Sequence, residues 1–283
     1  MKLEKKYLPS IFILFLIIGI YFQQLVDLVL QWWDDPNYGH GFLIPLVSIY
    51  LCWGKRDILK GIALNKCYPG LIILIIGLIF CIIGTAAAEF FTVRFSFVLV
   101  ILGTILFFYG KEFTRQLWFP ILFLIFMIPI PYVIYYAITF PMQLLSTNLA
   151  SGLLKLFGLP ILSQGNIIHL PNYSLEVVEA CSGLRSLMTL SALGAAMAYM
   201  TQPSFISGSM LFLFSVPIAI GANVIRICIT VIGALLISPK FAEGFLHEIS
   251  GLVVFIVGFA CLGLTGIIIK WIAQIKDNEP EVN

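Results

Sequence analysis

The sequence predicts an all-α polytopic membrane protein of about eight transmembrane helices, with a short strand pair in an outer-face loop before the sixth. Three observations carry this reading. Of 283 residues, 60% are hydrophobic and only 11% charged, whereas soluble domains carry about 25% charged residues. The mean hydropathy is +1.04, a surplus that one core could not bury, because a chain of this size still exposes much of its surface. The apolar residues are also gathered into runs that meet or approach the roughly 20 residues needed to cross a bilayer core. Membrane lipid is therefore the first expected partner. A soluble enzyme, a nucleic-acid binder and a disordered chain are excluded. Six cysteines (Cys52, Cys67, Cys81, Cys181, Cys228, Cys261) form no C-x-x-C pair, so no disulfide framework, metal site or cofactor is expected.

The first run, Ser10 to Leu30, follows a basic start. It is too long for a signal peptide and no A-x-A site follows, so an uncleaved span is expected. Gly41 to Gly54 is a short second run, Pro69 to Ala88 a full span, and Phe95 to Tyr109 a shorter one. The fifth begins near Leu117 and is broken by Pro120, Pro129 and Pro131, which membranes tolerate where neighbours satisfy the freed backbone groups. Cys181 to Met200, Pro203 to about Leu236, and His247 to Trp271 complete the set.

Between the fifth and sixth spans, residues 139–180 form a long outer loop. Its first part, to Phe157, mixes apolar residues with Gln143, Ser146, Thr147, Asn148 and Lys155, as an interfacial or re-entrant helix would. Gln164 to Val177 reads as two short strands around a Pro171-Asn172 turn. A long structured loop of this kind is more often functional than not. No internal repeat is visible, so residues 1–283 read as a single membrane-embedded domain with cytoplasmic tails at 1–9 and 272–283.

Charge sets the orientation. Eleven of the sixteen Lys and Arg fall in segments on one side if the N-terminus is cytoplasmic; Arg94, Lys155, Arg185, Arg226 and Lys240 fall on the other. The positive-inside rule then places both termini in the cytoplasm.

Ionisable residues at membrane depth are costly and functional by default. Cys181 starts the sixth span and His247 the eighth, while Arg226 lies near the outer end of the seventh. From Pro203, Arg226 is about 35 Å along a helix, roughly one bilayer. Topology therefore predicts one depth, at the outer face, for all three. The trio is chemically coherent. A thiol at a helix N-terminus near a cation gains thiolate character. A histidine can take its proton and return it to a leaving amine. An arginine can hold an oxyanion with two donors. Cys181, His247 and Arg226 are thus candidate catalytic residues for acyl transfer.

Around them, Glu179 precedes the cysteine and Ser182-Gly183 make a small turn after it. Arg185, one turn into its helix, reads equally as a substrate contact or a partner for Glu179. Asn223 stands one turn before Arg226 and could orient it. His40, in the first outer loop, reads as a supporting or structural group, and His169 as structural. His247-Glu248 lacks the second histidine of a metalloprotease helix.

Glu179-Ala180-Cys181-Ser182-Gly183-Leu184-Arg185-Ser186 resembles the nucleophile motif of the exosortase/archaeosortase family. Asn223-Val224-Ile225-Arg226 resembles its arginine motif, His247-Glu248-Ile249-Ser250-Gly251 its histidine motif, and Tyr38-Gly39-His40-Gly41-Phe42-Leu43-Ile44-Pro45 its first outer loop. The resemblance runs from about Trp32 to Trp271, with the motifs in the family's order. It implies a bacterial inner-membrane protease or transpeptidase acting on exported proteins that end in a PEP-CTERM-like sorting signal, with links to exopolysaccharide machinery. Carried over, the roles are nucleophile for Cys181, acid/base for His247 and transition-state stabiliser for Arg226. A transporter or scaffold for lipid-linked saccharide is the alternative. It would want charges lining the membrane midplane, where this sequence offers few.

Overall fold

A bilayer supplies no water to backbone groups, so long apolar runs must satisfy them internally, as helices. The computed structural model describes residues 2–171, 173–177, 183–236 and 245–278. Among these it shows ten α-helices and one three-stranded sheet, arranged as two compact units, 1–131 and 132–283. The sequence alone reads as a single membrane-embedded domain over residues 1–283.

In the first unit, α1 (Lys2–Asp34) is followed by a 3-10 turn (Gly39–Phe42), α2 (Leu43–Gly54) and the short α3 (Arg56–Gly61). Then come α4 (Pro69–Ala86), α5 (Phe90–Tyr109) and α6 (Lys111–Phe123), the last running on as a 3-10 turn over Leu124–Met127. Proline at the start of α4 fits a position that needs no N–H donor. Glu89 caps α5, its carboxylate accepting from the Phe91 and Thr92 amides at 3.2 and 2.6 Å. Apolar packing alone gives little preference between helices in lipid, so small residues that admit close backbone approach decide the pairing. At Gly103 a Cβ would come within 2.4 Å of the Leu74 backbone nitrogen. Polar bonds then fix α1 against α5: Tyr21 and Ser96 hydroxyls meet at 2.7 Å, and Arg94 donates to Gln31 at 2.6 Å. The Trp32 indole donates to the Met127 carbonyl at 2.9 Å, and Ser48 to the Pro120 carbonyl at 2.8 Å.

The second unit comprises α7 (Tyr132–Leu156), β1 (Leu162–Gln164), β2 (Ile167–Leu170), β3 (Tyr173–Glu176), α8 (Leu184–Thr201), α9 (Phe205–Leu236) and α10 (Phe245–Asn278). The sheet is antiparallel in the order β1-β2-β3, with Ile168 opposite Leu175 and His169 opposite Ser174. Alternation along the strands puts Ile168 and Leu170 into a core with Ala150 and Leu154 of α7 and Val224, Ile227 and Val231 of α9. His169 faces away from that core and pairs with the Ser174 hydroxyl at 2.9 Å.

Three expectations change. Where two strands were expected, there are three: β1 precedes the expected pair. The interfacial helix begins at Tyr132, seven residues before Thr139. Among the described residues, five helical stretches rather than eight are long and apolar enough to cross a bilayer: Phe12–Asp34, α4, α5, α9 and Gly251–Ile275 within α10. Lys111–Met127 and Tyr132–Leu156 pass only as a pair, which would make a sixth. The expected second span is a short apolar helix over Gly39–Gly54, about 24 Å at 1.5 Å per residue and shorter than a bilayer core. The expected sixth, α8, has 18 residues, but Arg185 and several Ser, Thr, Gly and Ala dilute its hydropathy. Phe90–Tyr109 gains five residues over the run read from sequence and becomes a full span.

Candidate active site

The site is built at one end of three packed helices. Contacts between α8 and α9 follow an antiparallel order: Gly208 faces Ala198, Ser215 meets Gly194 and Ser191, and Asn223 meets Gly183. Contacts between α9 and α10 do the same, from Leu211 with Gly266, through Ala222 with Gly258, to Arg226 with Gly251. Two antiparallel crossings therefore bring the start of α8, the late turns of α9 and the start of α10 to a common end. Arg226 lies 21 residues into α9, about 32 Å from its first residue.

Arg226 is buried, with 6% of its surface exposed. A Cβ built on Gly251 would stand 3.5 Å from its Cζ and Nη2, which is ordinary contact distance. The guanidinium thus lies against the backbone of α10 one turn after His247. Asn223 is fully buried and its Nδ2 donates to the Ser146 hydroxyl of α7 at 3.2 Å. The same side chain sits where a Cβ on Gly183 would lie, 2.8 Å from Asn223 Cγ. Gly183 adopts φ 84°, a left-handed conformation suited to glycine. As the N-cap of α8, it accepts at its carbonyl from the Leu187 amide at 2.8 Å. Arg185 is half-buried in the first turn of α8.

Cys181, Ser182 and Glu179 lie outside the described residues, as does the side chain of His247, whose backbone belongs to α10. The helix that was expected to start at Cys181 starts at Leu184. His40 belongs to the first unit, in the turn before α2. Its Nε2 donates to the Phe126 carbonyl at 3.2 Å, and burial holds its pKa below the usual histidine value despite that bond. Among the described residues no three His, Cys, Asp or Glu gather as metal ligands.

The sequence reading passed over two polar residues. Ser146 stood only as one polar member of an interfacial helix, although Gln143, Ser146, Thr147 and Ser151 recur on one helical face and are all buried. Arg94 was placed at an outer helix end. It is buried one turn into α5, bonded to Gln31 and standing over the Phe90 ring, with Asp27 and Glu89 supplying negative charge. An arginine among so many apolar residues was the available signal.

A family model described as transmembrane exosortase matches residues 32–264, most of the chain. The chain belongs to the transmembrane exosortase family. No curated protein and no solved structure matches it. The matched range contains all four of the exosortase-like motifs, so Gly183, Asn223, Arg226 and Gly251, which meet at one end of the α8–α10 bundle, are residues of the exosortase region. A buried guanidinium in that position offers a planar set of donors in a setting of low dielectric. That is the property needed to stabilise a negative charge forming on a substrate oxygen.

Proposed function

We propose that this exosortase is a cysteine-type membrane endopeptidase or transpeptidase that cleaves C-terminal, PEP-CTERM-like sorting signals of exported proteins. One observation carries the reading. The segments that flank the candidate nucleophile and the candidate base, represented by Gly183 and Gly251, both pack against the Asn223–Arg226 turn of α9. In the proposed reaction His247 takes the Cys181 thiol proton and the thiolate attacks the scissile carbonyl carbon. The C–S bond forms as the carbonyl electrons move to oxygen, where Arg226 donates to the oxyanion. His247 then gives its proton to the leaving nitrogen as the C–N bond breaks, leaving a thioester. Water, or the nucleophile of an acceptor, releases the new carboxyl end.

Glu179, Ser182, Gly183, Arg185, Asn223 and His40 are proposed supporting or substrate-contacting residues. The enzyme would sit in the bacterial inner membrane with both termini cytoplasmic and its site at the periplasmic face. Counted over the eight apolar runs of the sequence, the uneven distribution of Lys and Arg supports this. Proposed partners are signal-bearing exported proteins, surrounding lipid and the exopolysaccharide machinery.

The test is co-expression with a signal-bearing substrate, followed by mass determination of the processed C-terminus. Wild type should yield one defined terminus, either a free carboxyl or an acceptor adduct. Cys181→Ala should insert normally and yield only uncut substrate. A processed substrate from the alanine variant would sink the cysteine mechanism.

A further inference from the structure

Hydroxyls inside helices usually bond back to the carbonyl one turn earlier. On α7, Thr139 and Thr147 do so, reaching Tyr135 and Gln143 carbonyls at 2.7 Å each. Ser146 is different. It is 1% exposed, and its Oγ accepts from Asn223 Nδ2 of α9 across the helix pair at 3.2 Å. Asn223 in turn occupies the space beside Gly183, where a Cβ would come within 2.8 Å of its Cγ and Nδ2. Gly183 holds its left-handed φ of 84° directly before α8. Contact therefore runs unbroken from Ser146, through Asn223, to Gly183, which follows Cys181 by two residues in the sequence.

We propose that Ser146 is a positioning residue for the reaction, holding Asn223 as the seat of the Gly183 turn and so fixing how Cys181 is presented. This rests on Cys181 being the nucleophile. The physical case is one of geometry. Asn223 is fully buried among α7, α8 and α9, and a buried amide hydrogen that loses its acceptor is costly where water cannot replace it. The Ser146 hydroxyl that accepts from it is therefore one of the contacts that fix its rotamer. A swing of that amide moves the surface on which the turn rests, and displacements near 1 Å cost catalysis on the order of a hundredfold. In this role Ser146 acts through Asn223 and Gly183 rather than on the substrate itself, so binding should be spared while turnover falls.

The test uses the full-length protein in an otherwise cysteine-free background and reads two quantities. One is kcat and KM for processing. The other is the rate at which Cys181 of the substrate-free protein reacts with an impermeant maleimide across pH. Ser146→Ala should lower kcat about tenfold with KM unchanged, and slow Cys181 alkylation over the same pH range. Gly183→Ala, which strains the turn from its other side, should show the same pattern. Ser146→Ala combined with Asn223→Ala should be no slower than Asn223→Ala alone, because a residue acting through another adds nothing once that other is gone.

Wild-type alkylation and kcat in Ser146→Ala would overturn the proposal, as would losses that multiply in the double variant. If Ser146→Ala does not insert, the Gly183→Ala pattern decides. Continued processing by Cys181→Ala would instead overturn the functional reading, while the alkylation rates still judge the positioning role.

Discussion

The guanidinium of Arg226 lies against Gly251, 3.5 Å from where that residue's Cβ would stand, and Gly251 is one helical turn beyond His247. The arginine motif of α9 and the histidine motif of α10 are therefore in direct contact through a residue with no side chain. That contact makes a graded prediction.

Gly251→Ala adds an atom at ordinary contact distance and removes a flexible residue from a helix. It should leave processing within about twofold of wild type and stabilise α10 by up to about 1 kcal/mol. Gly251→Val carries its methyls about 1.5 Å farther, into the guanidinium. It should cost at least about tenfold in kcat, a conservative part of the 10²–10³ that follows from losing one oxyanion donor. Processing rates of the two variants, normalised to inserted protein, check this. Equal rates would mean that the Arg226–Gly251 contact has no part in turnover.

His40 gives a prediction in pH. Burial depresses its pKa in the folded protein below the usual histidine value, and the neutral ring donates from Nε2 to Phe126. A base whose folded pKa is depressed binds more protons when unfolded, so it contributes stability that is fully present above the unfolded value of about 6.5. That contribution is lost as pH falls from there towards the folded pKa. The thermal midpoint of the solubilised protein should therefore fall on acidification below about pH 6.5. His40→Gln, which keeps a donor and does not titrate, should flatten that dependence. An unchanged slope in the glutamine variant would assign the effect to another group.

Much of this architecture could be read from the chain, and the misreadings have physical causes. Six of the apolar runs correspond to long helices or to a helix pair, because bilayer thickness sets a length that hydropathy reports directly. The short run at Gly41 fails because hydropathy cannot tell a span from a shorter apolar helix that packs on Trp32 and Pro120. Counting crossings places Cys181, Arg226 and His247 at one depth; among the described residues, Gly183, Asn223, Arg226 and Gly251 meet at one end of the α8–α10 bundle. Ser146 could not be read in this way. Its role depends on which α7 turn meets Asn223, and only packing between α7 and α9 settles that.

Orientation is open to direct labelling. Counted over eight spans, eleven of sixteen basic residues fall on the side assigned to the cytoplasm, and the proposed orientation rests on Gly39–Gly54 crossing the membrane. Single-cysteine variants at Asp35 and Lys240 should react with an impermeant maleimide in intact cells, and one at Lys60 only after permeabilisation. Labelling at Lys60 but not at Asp35 in intact cells would invert the topology and move the proposed site to the cytoplasmic face, whereas labelling at both would mean that Gly39–Gly54 does not cross.

The role of Arg226 separates into charge and shape. If burial against α10 serves only to place a positive charge near lipid headgroups, Arg226→Lys should be nearly silent, because both cations can reach an interface from a helix end. The structure argues otherwise: at 6% exposure the guanidinium is enclosed by the bundle rather than extended into the interface. If it donates to a developing oxyanion, the planar fork matters and a single ammonium cannot reproduce it. Losing one such donor costs about 10²–10³ in rate in soluble acyl-transfer sites, so Arg226→Lys should insert normally and process substrate at least about tenfold more slowly. The loss should appear in kcat with little change in KM, since the interaction strengthens only as charge forms on the oxygen. Near-normal turnover by the lysine variant would reduce the site to a Cys181–His247 dyad and leave Arg226 as a structural cation between α9 and α10.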